Sequence, residues 1–349
     1  MSTKSRKIFK VFLIIALVGL IIGALAGYYL YNKIFSSNVN LGEKESIYLY
    51  IPTNATYTEV IDSLYSKNII IDTTSFEWVA ELKKYPDLVK SGKYLISNNL
   101  SNNDLVDLLR SGKQEPVNVT FNNIRLKKEL ASKISKQLEV DSIVLLEALN
   151  NKELAESYGF STENILSMFI PNTYEFYWNT KSKEFIERMY SEYKKFWTEE
   201  RLSKAEKIGL TTLEVSVLAS IVQAEQAEYK DEQPTIAGLY INRLNKGIAL
   251  QSDPTLVYSS GDFTIKRVLN KHKEIDSPYN TYMYAGLPPA PINLPEISAL
   301  EAVLNYEKND YIFMCAKEDF SGYHYFSKTN AQHEIYAKKY QNALNKLGI

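Results

Sequence analysis

Val11 to Tyr31 reads VFLIIALVGLIIGALAGYYLY without a single charge, and that run constrains the chain more than any other feature. At about 1.5 Å per helical residue it covers roughly 30 Å, the thickness of a bilayer's hydrocarbon core. Lys4, Arg6, Lys7 and Lys10 precede it with no acid among them, and Tyr28, Tyr29 and Tyr31 close it. A basic flank stays on the cytoplasmic side and aromatic rings settle at the far interface. No A-x-A-like cleavage site follows cleanly, and the run is long for a signal-peptide core. We read residues 1–10 as a cytoplasmic tail and 11–31 as a retained single-pass helix in the cell (inner) membrane. Everything after Asn32 is then extracytoplasmic.

The 349 residues are 45% hydrophobic and 23% charged, the balance of a globular body rather than a disordered one. The formal charge is −1 from 40 basic and 41 acidic residues, and setting aside the four bases of the tail leaves 36 against 41. A weakly acidic body is unsuited to coating nucleic acid, so no nucleic-acid partner is expected. Cys315 has no second cysteine to pair with, which excludes an internal disulfide, and it reads as a small buried apolar residue. His324 and His333 lack the spacing of a zinc-protease helix, so neither a metal nor another cofactor is expected.

Residues 32–45 are polar and aperiodic, and read as a linker. A weak internal repeat follows, in which IPTNATYTEVIDSLYSK (51–67) lies over ISNNLSNNDLVDLLRSG (96–112). Ile51 matches Ile96, Asn54 matches Asn99, Thr56 matches Ser101, Glu59 matches Asp104 and Leu64 matches Leu109. Each copy predicts a strand end, a Thr or Ser N-cap, an acid three residues on and an apolar helix face. Two copies are too few for a solenoid, and residues 46–118 are read as a small α+β module. The remainder, 119–349, is read as one helix-rich domain. It carries helical periodicity in LKKELASKISKQL (126–138) and FIERMYSEYKKFW (185–197), with a Pro-Asn turn and aromatics in IPNTYEFYW (170–178) between them. Pro288, Pro289, Pro291 and Pro295 fix loops that suit a binding cleft better than a helix bundle. The fold class expected is therefore α+β, with a loop-lined cleft in the larger domain.

LTTLEVSVLASIVQAEQAE (210–228) is the most informative segment. Thr211-x-x-Glu214 opens a helix that neither Pro nor Gly interrupts. At about 100° per residue, Leu218, Ile221 and Val222 form one apolar stripe, Glu225 falls within it and Gln223 points away. A carboxylate on a core-facing stripe is costly unless neutral or paired. The bland alternative is that the helix ends at Glu225 and the side chain reaches solvent. Beyond this helix come INRL (241–244), LQSDPTLVY (250–258), SPYNTY (277–282), GLPPAPI (286–292) and GYHYFSKT (322–329). Neutral amides and hydroxyls with aromatic rings are what sugar hydroxyls, N-acetyl groups and ring faces require.

In this order, ASIVQAE, INRL, LQSDPT, SPYNTY, GLPPAPI and GYHYFS resemble the endolytic murein transglycosylase family, also called YceG-like, over about the whole chain. The resemblance implies a small LysM-like module ahead of the catalytic domain and a lytic cut inside a peptidoglycan glycan strand. It puts the catalytic glutamate at Glu225 and implies wall strands as substrate, with cell-wall synthases as partners. Many relatives carry Glu where this chain has Gln223, Pro-Asp-Thr where it has Pro171-Asn172-Thr173, and Glu-Gly where it has Asn122-Asn123. Under the lytic mechanism Glu225 protonates the oxygen linking MurNAc to GlcNAc, and the C6 hydroxyl of the MurNAc closes a 1,6-anhydro ring. Asn242, Gln251, Tyr258, Tyr279, Asn280 and Tyr282 are candidates for substrate contact or cleft support. Arg243 is a candidate for a peptide-stem carboxylate or for bracing Asp253. Asp253, in a Gln-Ser-Asp-Pro-Thr turn, reads first as a helix cap or loop lock and second as a catalytic partner. Two other readings remain open: a lysozyme-type hydrolase using Glu225 with Asp253, and a non-catalytic glycan-binding scaffold. The anchor itself is testable. A reporter fused after residue 349 should be active only if it is one that works outside the cytoplasm, and cytoplasmic activity there would overturn the topology.

Overall fold

A helix of 33 residues, α1 (Thr3–Phe35), opens the chain. The structure, a computed structural model, describes residues 3–347. Within α1, Lys7–Phe35 is long and apolar enough to cross a membrane, and its most apolar stretch is exposed, while Ile34 near its end packs on the first unit. The chain then forms two units, Met1–Val117 with Glu175–Asn179, and Asn118–Tyr174 with Thr180–Ile349.

In the first unit the order is β1 (Ser46–Ile51), α2 (Tyr57–Ser66), α3 (Thr73–Leu82), β2 (Gly92–Ser97) and α4 (Asn102–Ser111). The strands pair antiparallel, from Ser46 opposite Ser97 to Ile51 opposite Gly92. The internal repeat is real in three dimensions. Asn54 and Asn99, matched in sequence, both take φ of 63°, a left-handed turn that asparagine tolerates better than most residues. Thr56 and Ser101 then cap α2 and α4 by accepting from the backbone N–H of Glu59 and Asp104. Leu49, Leu64, Phe76, Ile96, Leu105 and Leu109 close the core between strands and helices.

The segment 32–45 is not a free linker. α1 continues to Phe35, Val39 is buried, and the side chain of Asn38 is enclosed by the module. Asn38 Nδ2 donates to Asn102 Oδ1 at 2.7 Å and to the Asp72 carbonyl at 2.8 Å, while its Oδ1 accepts from the Asp72 N–H at 2.7 Å. Asn102 Nδ2 in turn donates to the Lys33 carbonyl at the end of α1, at 2.9 Å. A polar run too short for periodicity thus hides its contacts from the sequence. The excursion Glu175–Asn179 also belongs here: Trp178 meets Tyr50 edge-on at 5.0 Å, and Asn179 Nδ2 donates to Ser91 Oγ at 2.7 Å.

The second unit takes in β3 (Val117–Phe121) after its first residue, α5 (Lys127–Ser135), α6 (Ser142–Asn150), α7 (Lys152–Ser157), β4 (Asn172–Phe176) up to Tyr174, α8 (Ser182–Phe196), α9 (Glu199–Ile208) and α10 (Thr212–Glu225). It continues with α11 (Gln233–Asn245), α12 (Asp253–Ser260), α13 (Asn270–Lys273), α14 (Ile297–Leu304), β5 (Phe313–Ala316), β6 (His324–Ser327) and α15 (Asn330–Leu347). β3 pairs with β4, and β5 pairs with β6 antiparallel. The whole is a helix-rich α+β protein. Cys315, expected to be buried, is half-buried in β5.

α10 is the spine of this unit, packed by α9, α11, α12 and α14. Every residue from Val215 to Val222 is buried, so the apolar surface runs around the helix rather than along one stripe. A helix apolar on all sides belongs in a core. α11 comes close enough to the loop after α14 that a Cβ on Gly238 would collide with the Glu307 carbonyl oxygen. Gly238→Ala should therefore push α11 away and destabilise the unit by about 1–3 kcal/mol, the usual range for overpacking. Chemical denaturation reads that loss, and an unchanged midpoint would refute the close approach.

Candidate active site

α10 ends at Glu225, with Gln226 already out of helical conformation at φ −140°. Helix end and interior carboxyl therefore coincide. Part of Glu225 reaches solvent, while its Oε1 is enclosed and accepts two hydroxyls: Ser252 Oγ donates at 2.5 Å and Tyr240 Oη at 2.7 Å. Among the described residues Oε2 has no protein partner, so it is the oxygen left to act. Burial pushes the Glu225 carboxyl above its ordinary value, and the nearby charge of Asp253 adds to the rise. The two hydroxyls and His324 pull the other way without cancelling it. The carboxyl end of a helix also disfavours negative charge. Tyr240, wholly enclosed and facing Glu225, is raised well above the usual phenol value and stays a donor.

Each partner has a structural reason to be there. Tyr240 hangs from α11, held close by Gly238. Ser252 stands at the N-cap position of α12 but caps nothing with its side chain. An N-cap serine ordinarily accepts from the first turn; this one gives its proton to Glu225 instead. The turn that carries Ser252 is stitched to the SPYNTY loop. Gln251 N–H donates to the Thr281 carbonyl and Ser252 N–H to Thr281 Oγ1, both at 3.0 Å, and Thr255 Oγ1 lies 2.8 Å from Thr281 Oγ1.

The other side of α10 fastens the proline-rich loop. Ser220 Oγ accepts from Ile292 N–H at 3.0 Å, the Ser220 carbonyl accepts from Asn293 Nδ2 at 2.9 Å, and Gln223 Oε1 accepts from Glu296 N–H at 2.6 Å. Past the helix end, Gln226 Nε2 donates to Glu232 Oε2 at 3.0 Å and to the Gly322 carbonyl at 2.9 Å. Glu232 Oε2 also lies 2.6 Å from His324 Nδ1. Burial raises the Glu232 carboxyl, but the hydrogen bonds from His324 and Gln226 outweigh it and leave the group below its ordinary value. Buried Glu232, with half-buried His324 beside it, fixes the backbone immediately after Glu225.

A cavity of about 1090 Å³ lies against Gln223, Ala224 and Ala227, and takes in Asp253, Tyr258 and Asn293. The sequence candidates divide into two groups around it. Asp253 and Tyr258 line it. Asp253 is exposed and accepts from Tyr282 Oη at 2.6 Å, and Tyr258 packs at a tilt against Tyr279, with ring centres 4.7 Å apart. The others serve the loops. Asn242 Nδ2 donates to the Asn309 and Tyr311 carbonyls. Arg243 is buried and clamps the Ala249 and Ile312 carbonyls and Gln251 Oε1, so in the structure it does not reach Asp253. Asn280 is buried and donates to the Lys273 and Ile275 carbonyls. Asn123, where the resemblance has Gly, takes φ of 54° and lines the cavity. Tyr240, Ser252, Glu232 and Gln226 were not singled out by sequence. Among the described residues no cluster of three or more potential ligands for a metal is present.

The chain is similar to known proteins along most of its length. The YceG-like family matches residues 49–339. The chain belongs to that family. It is similar to the endolytic murein transglycosylase of Bacillus subtilis (strain 168), 26% identical over 341 residues that cover 93% of this chain and 92% of that protein. It is also similar to the endolytic murein transglycosylase of Streptococcus pneumoniae serotype 2 (strain D39 / NCTC 7466), 25% identical with 96% of this chain covered. The match spans 66% of that longer protein. Among solved structures it is similar to a yceG-like protein from Listeria monocytogenes, with a TM-score of 0.55 and 25% identity over 84% of this chain and 99% of that one.

The buried carboxyl has a stability signature. With its folded value raised, Glu225 is protonated in both states at low pH and costs little; as pH climbs through the folded value, the native state must hold a desolvated charge and loses stability. Glu225→Gln keeps the shape and removes that loss. The variant should melt higher than the wild type at alkaline pH, with the gap closing as pH falls toward the ordinary carboxyl range. A wild type that gains on the variant as pH rises would contradict the assignment.

Proposed function

We propose that this protein is a membrane-anchored endolytic peptidoglycan lytic transglycosylase in which Glu225 is both acid and base. The chain is an enzyme of the lytic transglycosylase class that its relatives are named for, a carbon–oxygen lyase acting on polysaccharide. The observation that carries the residue-level reading is the pinned carboxyl: Oε1 holds two neutral donors, and Oε2 is left with the proton. That proton passes to the glycosidic oxygen, the bond from MurNAc C1 to that oxygen breaks, and GlcNAc leaves with its hydroxyl restored. Positive charge develops at C1, where the exposed carboxylate of Asp253 favours it. The C6 hydroxyl of the same MurNAc then bonds to C1 and returns its proton to Oε2. Nothing is consumed besides the strand, and Glu225 ends as it began.

Tyr258 and Tyr279 offer ring faces for sugars beside the cavity. Asn242, Arg243, Gln251, Asn280 and Tyr282 support substrate binding by holding the loops. The β1–α2–α3–β2 order supports a LysM-like, glycan-holding role for the first unit. The apolar α1 supports a single-pass anchor with the rest outside the cell membrane, where nascent strands and the synthases that make them are met. Asp253, exposed in the same cavity, is the feature that favours the second reading, a two-carboxylate hydrolase.

Digestion of purified glycan separates the two. A transglycosylase leaves internal cuts ending in anhydro-MurNAc, one water lighter than the hydrolytic product and without a new reducing end; reducing MurNAc ends would establish the hydrolase. Glu225→Gln should lower turnover by at least about a hundredfold. The alkaline limb of the rate profile should track the carboxyl. Ser252→Ala removes a donor that favours the charged form, so the limb moves to higher pH. Asp253→Asn removes a charge that favours the protonated form, so the limb moves to lower pH while the product stays the same. Shifts of the opposite sign would exclude Glu225 as the acid.

A further inference from the structure

The cavity against Gln223, Ala224 and Ala227 carries a charge that its proposed sugar substrate does not explain. Arg125, Lys266 and Arg267 line it, against a single acid, Asp253. Among the described residues none of the three is in an ion pair with a carboxylate. The Arg125 guanidinium lies over the Phe263 ring, 4.9 Å from its centre, which holds the charge at the cavity wall instead of letting it swing into solvent. Lys266 and Arg267 are exposed and begin a basic stretch that continues through Lys271 and Lys273 with no acid before Glu274. Lys273 Nζ stands 5.0 Å above the ring of Tyr282, the residue that donates to Asp253, so the stretch stays close to the chemistry. A concentration of unpaired cations in a body with more acids than bases is set against the field of the rest of the molecule.

The backbone of a glycan strand offers such cations little. Its hydroxyls, ring oxygens and N-acetyl groups are neutral, and they suit Asn123, Gln223 and Asn293. The free carboxylates of wall polymer lie on the peptide stems that branch from MurNAc. Building on the proposed function, we infer that Arg125, Lys266 and Arg267 form a subsite for the carboxylates of the peptide stem, and that the cavity selects strands bearing free-acid stems. Arginine forks bind carboxylates bidentately, and a lysine adds a mobile point charge. Each contact is solvent-accessible and modest alone, so selectivity comes from the three together.

The test compares one strand in two charge states. Stemmed glycan is used as isolated and after carboxamidation, which retains the size of each stem and removes its negative charge. With the full-length protein, kcat/KM should favour the free-acid strand by roughly ten- to hundredfold, narrowing as salt is raised. In the triple variant Arg125→Gln, Lys266→Gln, Arg267→Gln that ratio should fall to about one, and in the charge-keeping variant Arg125→Lys, Lys266→Arg, Arg267→Lys it should persist. The same ratio read as binding by Glu225→Gln protein, which needs no turnover, keeps this inference testable if the proposed cleavage itself fails. A wild-type ratio near one overturns the inference, and so does a ratio that the neutral variant leaves intact. Discrimination confined to stem-free glycan, whose lactyl carboxylates can be amidated in the same way, would also overturn it.

Discussion

One oxygen atom, Oε1 of Glu225, organises the second unit. A carboxyl removed from water must be paired with a cation or kept neutral. Among the described residues no cation is within salt-bridge reach of it, and two hydroxyls meet a single oxygen. Two neutral donors satisfy the acceptor without stabilising the ionised form enough to overcome burial. Their supply dictates much around them. Tyr240 must hang from a helix packed so tightly that residue 238 has no room for a side chain. Ser252 must give up the cap that its position would otherwise provide. A local rule broken at such a place marks the site better than any single residue does.

The loops around the site are held chiefly by side chains that bond to backbone. Arg243 gathers carbonyls from two segments, Asn280 draws its own loop into a turn, and Ser220 and Gln223 tether the proline-rich stretch to the spine. Buried carbonyls that belong to no strand or helix need donors, and long side chains from a rigid helix can supply several at once. Loop positions defined this way keep a cavity open without a sheet beneath it. They also leave the mouth free for residues such as Asp253 and Tyr258.

How much of this was legible in the sequence follows from the range of each interaction. The strand, left-handed turn and cap of the repeat lie within a few residues of one another, so those local elements could be read directly. Glu225 stood out as a candidate because its helix has a clear start and an apolar neighbourhood, reinforced by the order of the motifs after it; its half-buried carboxyl at the end of α10 is what the sequence pattern could reach. Tyr240 and Ser252 were not, because nothing in IAGLYINRL or LQSDPT distinguishes a hydroxyl aimed at a carboxyl 15 or 27 residues away. Asn242, Arg243 and Asn280 were picked for being polar in polar motifs, and sequence alone cannot tell a side chain that meets a ligand from one that meets a carbonyl. The reading of 32–45 as a linker failed for a related reason: its order comes from Asn38, whose partners lie more than thirty positions away.

That same asparagine has a mechanical consequence. Because Asn38 and Asn102 lock the chain just beyond α1, and Asn102 also grips the last turn of α1 itself, the helix and the first unit have no slack between them. A joint with buried hydrogen bonds on both sides resists bending and twisting alike. Tilt or rotation of α1 would thus be passed to the first unit as a turning moment, so that helix and module move as one lever rather than as a ball on a string.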